Sequence, residues 1–186
     1  MKYQRLTFAL FIMIGLYGQA QYMSVSPGYL FTTTEITSGD STIFRSNANN
    51  ISLGARGEKR ALNGHLGIFA GVNFQYFSSK VNIVGSENIV RISAITPHVR
   101  LKGYLQEDEG PFLFAGTQLF LVPFNNNPNV DLRSARFECG AGILFENGMS
   151  VNISAANSFI KSISNDNSIG KSLFFGIDMD IRIGEM

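Results

Sequence analysis

The sequence predicts an all-β chain: a single antiparallel up-and-down barrel of eight strands that spans a membrane, preceded by a cleaved export segment. Three observations predict it. Eight segments carry strand signals, most of them alternating in polarity from residue to residue, the connections between them alternate long and short, and the N-terminus carries a short charged and apolar leader. The 186 residues suffice for one domain with a real core. Charged residues make up only 16% of them, against roughly 25% in soluble domains, so little of the surface is built for water.

The leader comes first. Lys2 and Arg5 precede the apolar run "LTFALFIMIGLY", and "GQAQ" follows it. A positive start, an apolar stretch of about 7–15 residues and small residues before a cut mark a secretory signal peptide. Gly18 and Ala20 suit the −3 and −1 positions, which makes 1–20 the signal peptide and 21–186 the barrel domain. A run of 12 residues falls short of the ~20 that span a bilayer as a helix. Without Lys2 and Arg5 the chain carries 13 basic and 14 acidic residues. No basic run offers a footprint for nucleic acid. The lone Cys139 excludes an internal disulfide and a cysteine-rich metal knuckle, and no cofactor is implied.

The expected strands are 22–35, 50–58, 65–77, 90–105, 111–122, 133–145, 149–155 and 172–183. Most exceed the ~5–6 residues usual in soluble sheets and suit the 9–11 or so that cross a bilayer at a tilt. The connections "ITSGDSTIFRSNA", "SSKVNIVGSENI", "PFNNNPNVDL" and "NSFIKSISNDNSIG" read as four long polar loops. Between them stand the short "KRALNG", "QEDEG" and "ENG", the last containing an Asn-Gly hairpin turn. Loops elaborated at one end and trimmed at the other are the pattern of bacterial outer-membrane barrels. A soluble lipocalin-like ligand-binding barrel is the rival architecture.

Alternate side chains on a strand point to opposite faces. The last strand sets Leu173, Phe175, Ile177, Met179, Ile181 and Ile183 against Phe174, Gly176, Asp178, Asp180 and Arg182. The same test places Arg56, Arg100, Lys102 and Arg136 on the polar face with Glu58, Glu138 and His98. The two signs nearly cancel, as expected of groups that must pair with one another. Gly54, Gly67, Gly71, Gly140 and Gly142 share that face and would relieve crowding in a narrow interior. The polar face is therefore expected to line a filled lumen and the apolar face to meet lipid. Strands three and five are left open: in strand five Phe112, Phe114 and Phe120 oppose Leu113, Leu119 and Leu121, and in strand three Leu66, Ile68, Ala70, Val72 and Phe74 stand only weakly apart from Gly67, Phe69, Gly71, Asn73 and Gln75.

The leader, "GPFLFAGTQLFLV", "FECGAGILFENGMSVNIS" and the final amphipathic strand together resemble the small outer-membrane β-barrel family of Gram-negative bacteria, the OmpA-type and OmpX-type barrels often labelled a porin family. The resemblance covers the chain from Gln21 onward. It implies outer-membrane location, contact with lipid and handling by the outer-membrane assembly machinery. The end "IRIGEM" departs from the family's terminal aromatic residue, and tryptophan is absent. Tyr22, Tyr29, Tyr76, Tyr104 and Phe145 are the candidates for an aromatic girdle.

Eight strands enclose a space that side chains fill, whereas a diffusion pore takes roughly 16–18. The expected role is a non-enzymatic structural anchor whose long loops contact an external protein or surface partner. The competing class is an outer-membrane lipid-modifying or proteolytic enzyme, with His98 as base and Glu138 or Asp178 orienting it. No nucleophile stands at a recognisable spacing, and His98 reads more simply as part of a lumen hydrogen-bond network beside Arg100. Cys139 falls among the apolar residues as a small hydrophobe.

Overall fold

The structure, a computed structural model, describes residues 20–38, 41–83, 86–121, 134–161 and 168–185. Among them lie eight strands: β1 (Tyr22–Ser38), β2 (Ser41–Ala61), β3 (Leu66–Ile83), β4 (Ser86–Tyr104), β5 (Gly110–Phe120), β6 (Ser134–Leu144), β7 (Ser150–Lys161) and β8 (Ser168–Glu185). Each pairs antiparallel with its sequence neighbour, and β1 closes on β8 to complete the barrel. Closure leaves no free edge around the ring, so within the ring each strand pairs its backbone on both sides without water. The expected signal peptide lies outside the described residues, apart from Ala20.

Outward rows carry the apolar side chains. On β3 they run from Leu66 through Ile68, Val72 and Phe74 to Tyr76, and the next outward residue is the polar Ser78. On β8 they run from Leu173 to Ile183. Such a run of 11 residues matches the thickness of bilayer hydrocarbon at the usual tilt, about 9–11 residues. The open face of β5 resolves cleanly: Phe112 is 1% exposed and Leu113 69%. Phenylalanine points in on this strand and leucine out.

Two expectations need correction. The connections expected as long loops after the first and third strands are largely strand. β1 and β2 stay paired to Ser38↔Ser41, and β3 and β4 to Ile83↔Ser86. Polarity alternation reports a contrast between two environments. Pairing is made by backbone N–H and C=O groups that every non-proline residue carries, so the ladder continues through polar segments that alternation does not register. In the fourth connection β7 runs on to Lys161 and β8 begins at Ser168, with 162–167 outside the described residues. The third, "PFNNNPNVDL", also lies outside them. The short turns are as compact as expected, and that at Asn147-Gly148 holds Gly148 at a positive φ of 77°.

The second correction concerns the girdle. Tyr29, Tyr76 and Phe145 stand on the exterior, but Tyr104 is 5% exposed and points inward. It shares the parity of His98, Arg100 and Lys102 and lies in register with Phe112. Tyr22 turns into the mouth of the lumen, where the guanidinium of Arg182 lies 3.8 Å from its ring centroid.

Candidate functional site

The lumen concentrates the chemistry of this chain, and it is filled in three tiers. Its widest side chains need gaps on the neighbouring strands, at the residues paired with them. A Cβ on Gly142 would lie 2.5 Å from Phe112 Cζ, and one on Gly71 would lie 2.7 Å from Arg56 Cγ and 3.0 Å from His98 Cε1. Glycine at these points lets phenylalanine, arginine and histidine lean over the adjacent strand inside a narrow barrel.

At the end closed by short turns, Glu58 accepts hydrogen bonds from Tyr104 Oη at 2.5 Å and Arg60 Nε at 2.9 Å. The Arg60 guanidinium also lies over the rings of Tyr104 and Tyr22, 4.3 and 5.2 Å from their centroids. Its Nη1 donates to the carbonyl of Glu107 in the adjoining turn. Tyr104, Phe112, Phe114 and Leu144 form an apolar cluster around this tier.

The middle tier is a charge network. Arg56 Nη1 donates to Asp178 Oδ1 at 2.8 Å and to Asp180 Oδ1 at 2.6 Å. Asp180 also accepts from Ser26, from Asn152 Nδ2 at 3.0 Å, Ser150 Oγ at 3.2 Å and Lys102 Nζ at 3.3 Å. Arg100 holds Glu138 in a two-pronged bond, Nε at 2.6 Å and Nη2 at 3.0 Å, and Gln118 donates to the same carboxylate. Such charge-assisted, paired bonds are among the strongest a side chain makes. Aromatic faces complete the cations' surroundings: Lys102 Nζ lies 4.0 Å from the Phe69 centroid, and Arg100 lies over Phe114 at 4.8 Å.

The third tier, toward the extended hairpins, is apolar around one cation. Phe77, Ala94, Phe120, Ala156 and Phe174 cluster there. Arg136 sits between Phe120 and Phe174, 4.0 and 3.7 Å from their centroids. Its Nη1 reaches Gln75 Oε1 at 3.4 Å. Among the described residues no carboxylate lies within ion-pair distance of it.

The ten polar residues singled out in the sequence thus fall on one surface. Arg56, Glu58, His98, Arg100, Lys102, Arg136, Glu138, Asp178 and Asp180 are buried in the lumen, and Arg182 is half-buried at its mouth. Leu173, Phe175, Ile177, Ile181 and Ile183 are exposed outside, with Met179 half-covered among them. His98 lies inside the lumen. It is 2% exposed, with Nδ1 3.4 Å from the Thr96 carbonyl oxygen and its ring 6.3 Å from Phe69. Neither Glu138 nor Asp178 makes a hydrogen bond to it among the described contacts, and both are engaged by arginine.

Sequence reasoning overlooked Ser26, Gln75, Gln118, Ser150 and Asn152 as members of the network, and Arg60 and Tyr104 as partners of Glu58. Their parity on strands already assigned carries that signal. Cavities in the lumen are small, about 20 Å³ near Tyr22, Lys102 and Asp180 and about 10 Å³ between Arg56 and Arg100. Each has room for about one water.

An apolar exterior around a charged, ion-paired interior reverses the plan of a soluble barrel, which buries its apolar face. The lipocalin-like alternative requires that opposite orientation. A closed antiparallel barrel wearing an apolar belt is the architecture of a membrane-spanning β-protein.

No family model matches the chain, and no curated protein does. Among solved structures, the outer membrane protein OprG from Pseudomonas aeruginosa aligns over 90% of this chain and 99% of its own, at 13% identity and a TM-score of 0.48. Neisserial surface protein A aligns over 83% of this chain and 95% of its own, at 13% identity and a TM-score of 0.45. The outer membrane enzyme PagL aligns over 83% and 99%, at 14% identity and a TM-score of 0.46.

Proposed function

We propose that this chain is a non-catalytic outer-membrane barrel, a closed anchor that presents its extended hairpins at the cell surface to an external partner. The observation that carries this reading is the filled lumen. Arg56, Arg100 and Lys102 are each 2% exposed or less and are engaged by Asp178, Asp180 and Glu138. A barrel stoppered in this way conducts no solute of metabolite size, in keeping with its eight strands.

What varies in such a molecule is what stands above the belt. Binding is commonly carried by segments set on a rigid scaffold. The two hairpin arms, β1–β2 and β3–β4, project from the end opposite the short turns. In bacterial barrels the short turns face the periplasm, which puts the arms outside the cell. His98, walled in at mid-lumen, has no route to a lipid or peptide substrate, so the reading is of a contact protein.

The experiment has two arms on the membrane-inserted protein. Proteoliposomes containing it are expected to show no swelling in a small sugar, whereas swelling would make it a pore. In a Cys139→Ala background, Asn47→Cys is expected to react with a membrane-impermeant maleimide on intact cells, and Glu107→Cys only after the cells are opened. The reverse labelling would overturn the orientation.

A further inference from the structure

Buried polar side-chain atoms without a hydrogen-bond partner occur along the whole lumen, and four of them gather at one place. Arg56 Nε, Arg100 Nη1, Gln75 Nε2 and Asn73 Oδ1 are all buried, and none has a hydrogen-bond partner. All four belong to residues lining the same cavity of about 10 Å³. Buried polar groups are nearly always satisfied, and leaving one unpaired costs about 1–3 kcal/mol, more when it is charged. Four around one cavity mark a place built for a guest.

The chemistry of the wall selects that guest. Three of the four atoms are N–H donors, two of them on guanidinium groups that carry no acceptor at all. The Asn73 carboxamide, turned over, supplies a fourth donor. Asp178, the one carboxylate on the wall, is already committed to Arg56 and Asn152 through Oδ1 and faces Arg100 from Oδ2 at 3.8 Å. Apart from Asn73 Oδ1 and Asp178 Oδ2, the unpaired atoms a cation would meet are donors.

Charge points the same way, from a different observation. Glu58 is matched by Arg60. That leaves Arg56, Arg100, Lys102 and Arg136 buried against Glu138, Asp178 and Asp180 among the described residues, an excess of one positive charge. The surplus belongs to Arg136, whose hydrogen bond runs to Gln75 Oε1. Gln75 therefore turns its oxygen to the unmatched cation and its nitrogen to the cavity. Burying a net charge inside a bilayer is costly unless it is neutralised.

We infer that the lumen binds one small monovalent anion, chloride or a halide close to it in size, between Arg56, Arg100 and Gln75. The anion accepts hydrogen bonds from Arg56 Nε, Arg100 Nη1 and Gln75 Nε2 and cancels the surplus charge. It is a resident of the closed barrel, independent of whatever the hairpins contact.

Crystals of the detergent-folded protein soaked in sodium bromide test this directly. An anomalous peak is expected in the cavity, within hydrogen-bonding reach of the three nitrogens. Gln75→Glu, nearly isosteric, places a carboxylate beside Arg136 and removes the donor, so it is expected to fold and to lose the peak. A cavity with no anomalous signal, filled by water, overturns the inference. So does a peak that survives in Gln75→Glu, which would be an adventitious ion only. Unfolding midpoints at matched ionic strength give a second readout: the wild-type midpoint is expected to rise as chloride replaces gluconate, and that of Gln75→Glu to stay level. A wild-type midpoint indifferent to the exchange counts against the bound anion.

Discussion

A single nitrogen of Arg56 bridges Asp178 and Asp180, 2.8 Å from an oxygen of one and 2.6 Å from an oxygen of the other. The two carboxylates stand two residues apart on the same face of β8, where they would repel each other strongly away from water. The guanidinium on β2 turns that repulsion into a tie that spans β1 and links β2 to β8.

Arg56→Met is therefore expected to cost about 3–5 kcal/mol, the penalty of leaving buried charge without its partner. Arg136→Met removes a guanidinium that has no carboxylate to abandon and puts an apolar chain between Phe120 and Phe174. It is expected to leave stability unchanged or to raise it, since apolar replacement of buried ions is often neutral or favourable. Urea titration of the two variants folded into lipid vesicles compares them, and equal losses would contradict the assigned pairing.

How far these assignments were legible beforehand depended on contrast. On β8, Asp178, Asp180 and Arg182 alternate with Ile177, Met179 and Ile181, so polarity alone separated the faces. On β5 both faces are apolar, because Phe112 and Phe114 serve as ring surfaces for Lys102 and Arg100. A lumen that holds its cations partly with aromatic rings does not look polar in sequence. The hairpin arms were hidden for a related reason: in sequence they mix Thr, Ser, Asn and charged residues with scattered Ile, Val and Phe and so read as polar loops, although backbone pairing continues to Ser38 and Ile83. Tyr104 was misplaced by residue type, since tyrosine suits an interface as well as it suits a buried carboxylate such as Glu58.

Packing inside the barrel gives a sharper contrast between two glycines. A Cβ on Gly142 would press within 2.5 Å of Phe112 and 2.6 Å of Asn152 Oδ1, whereas one on Gly103 meets nothing within 4 Å. Gly142→Ala is expected to cost about 1–3 kcal/mol, as overpacked cores do. Gly103→Ala is expected to be neutral or to stabilise by up to ~1 kcal/mol, through the lost freedom of the unfolded chain. Unfolding midpoints measured in one detergent distinguish the two.

The outer face predicts a dependence on depth. Ile177 lies at the centre of the outward run of β8 and Ile183 at its end, and both are exposed. Ile177→Arg is expected to cost about 2–4 kcal/mol in a bilayer, and Ile183→Arg about 0–1 kcal/mol. Folding titrations into vesicles read both. Equal costs would mean that β8 does not cross the hydrocarbon with Ile177 at its middle.

The last prediction separates scaffold from arm. The β2–β3 ladder stops at Ala48↔Ser79, and β4 meets β5 only from the Ile95↔Leu121 bridge onward. Beyond Ser79 and Val90, which are paired directly, β3 and β4 pair only with each other among the described residues. Replacing residues 80–89 by an Asn-Gly turn therefore joins two strands already in register, using the linker such hairpins prefer. The shortened protein is expected to insert into vesicles, to keep its heat-modifiable migration on gels and to unfold near the wild-type midpoint. Failure to close would show that the arm takes part in folding the barrel. Retained folding with lost attachment to a surface partner would place that contact on the β3–β4 arm.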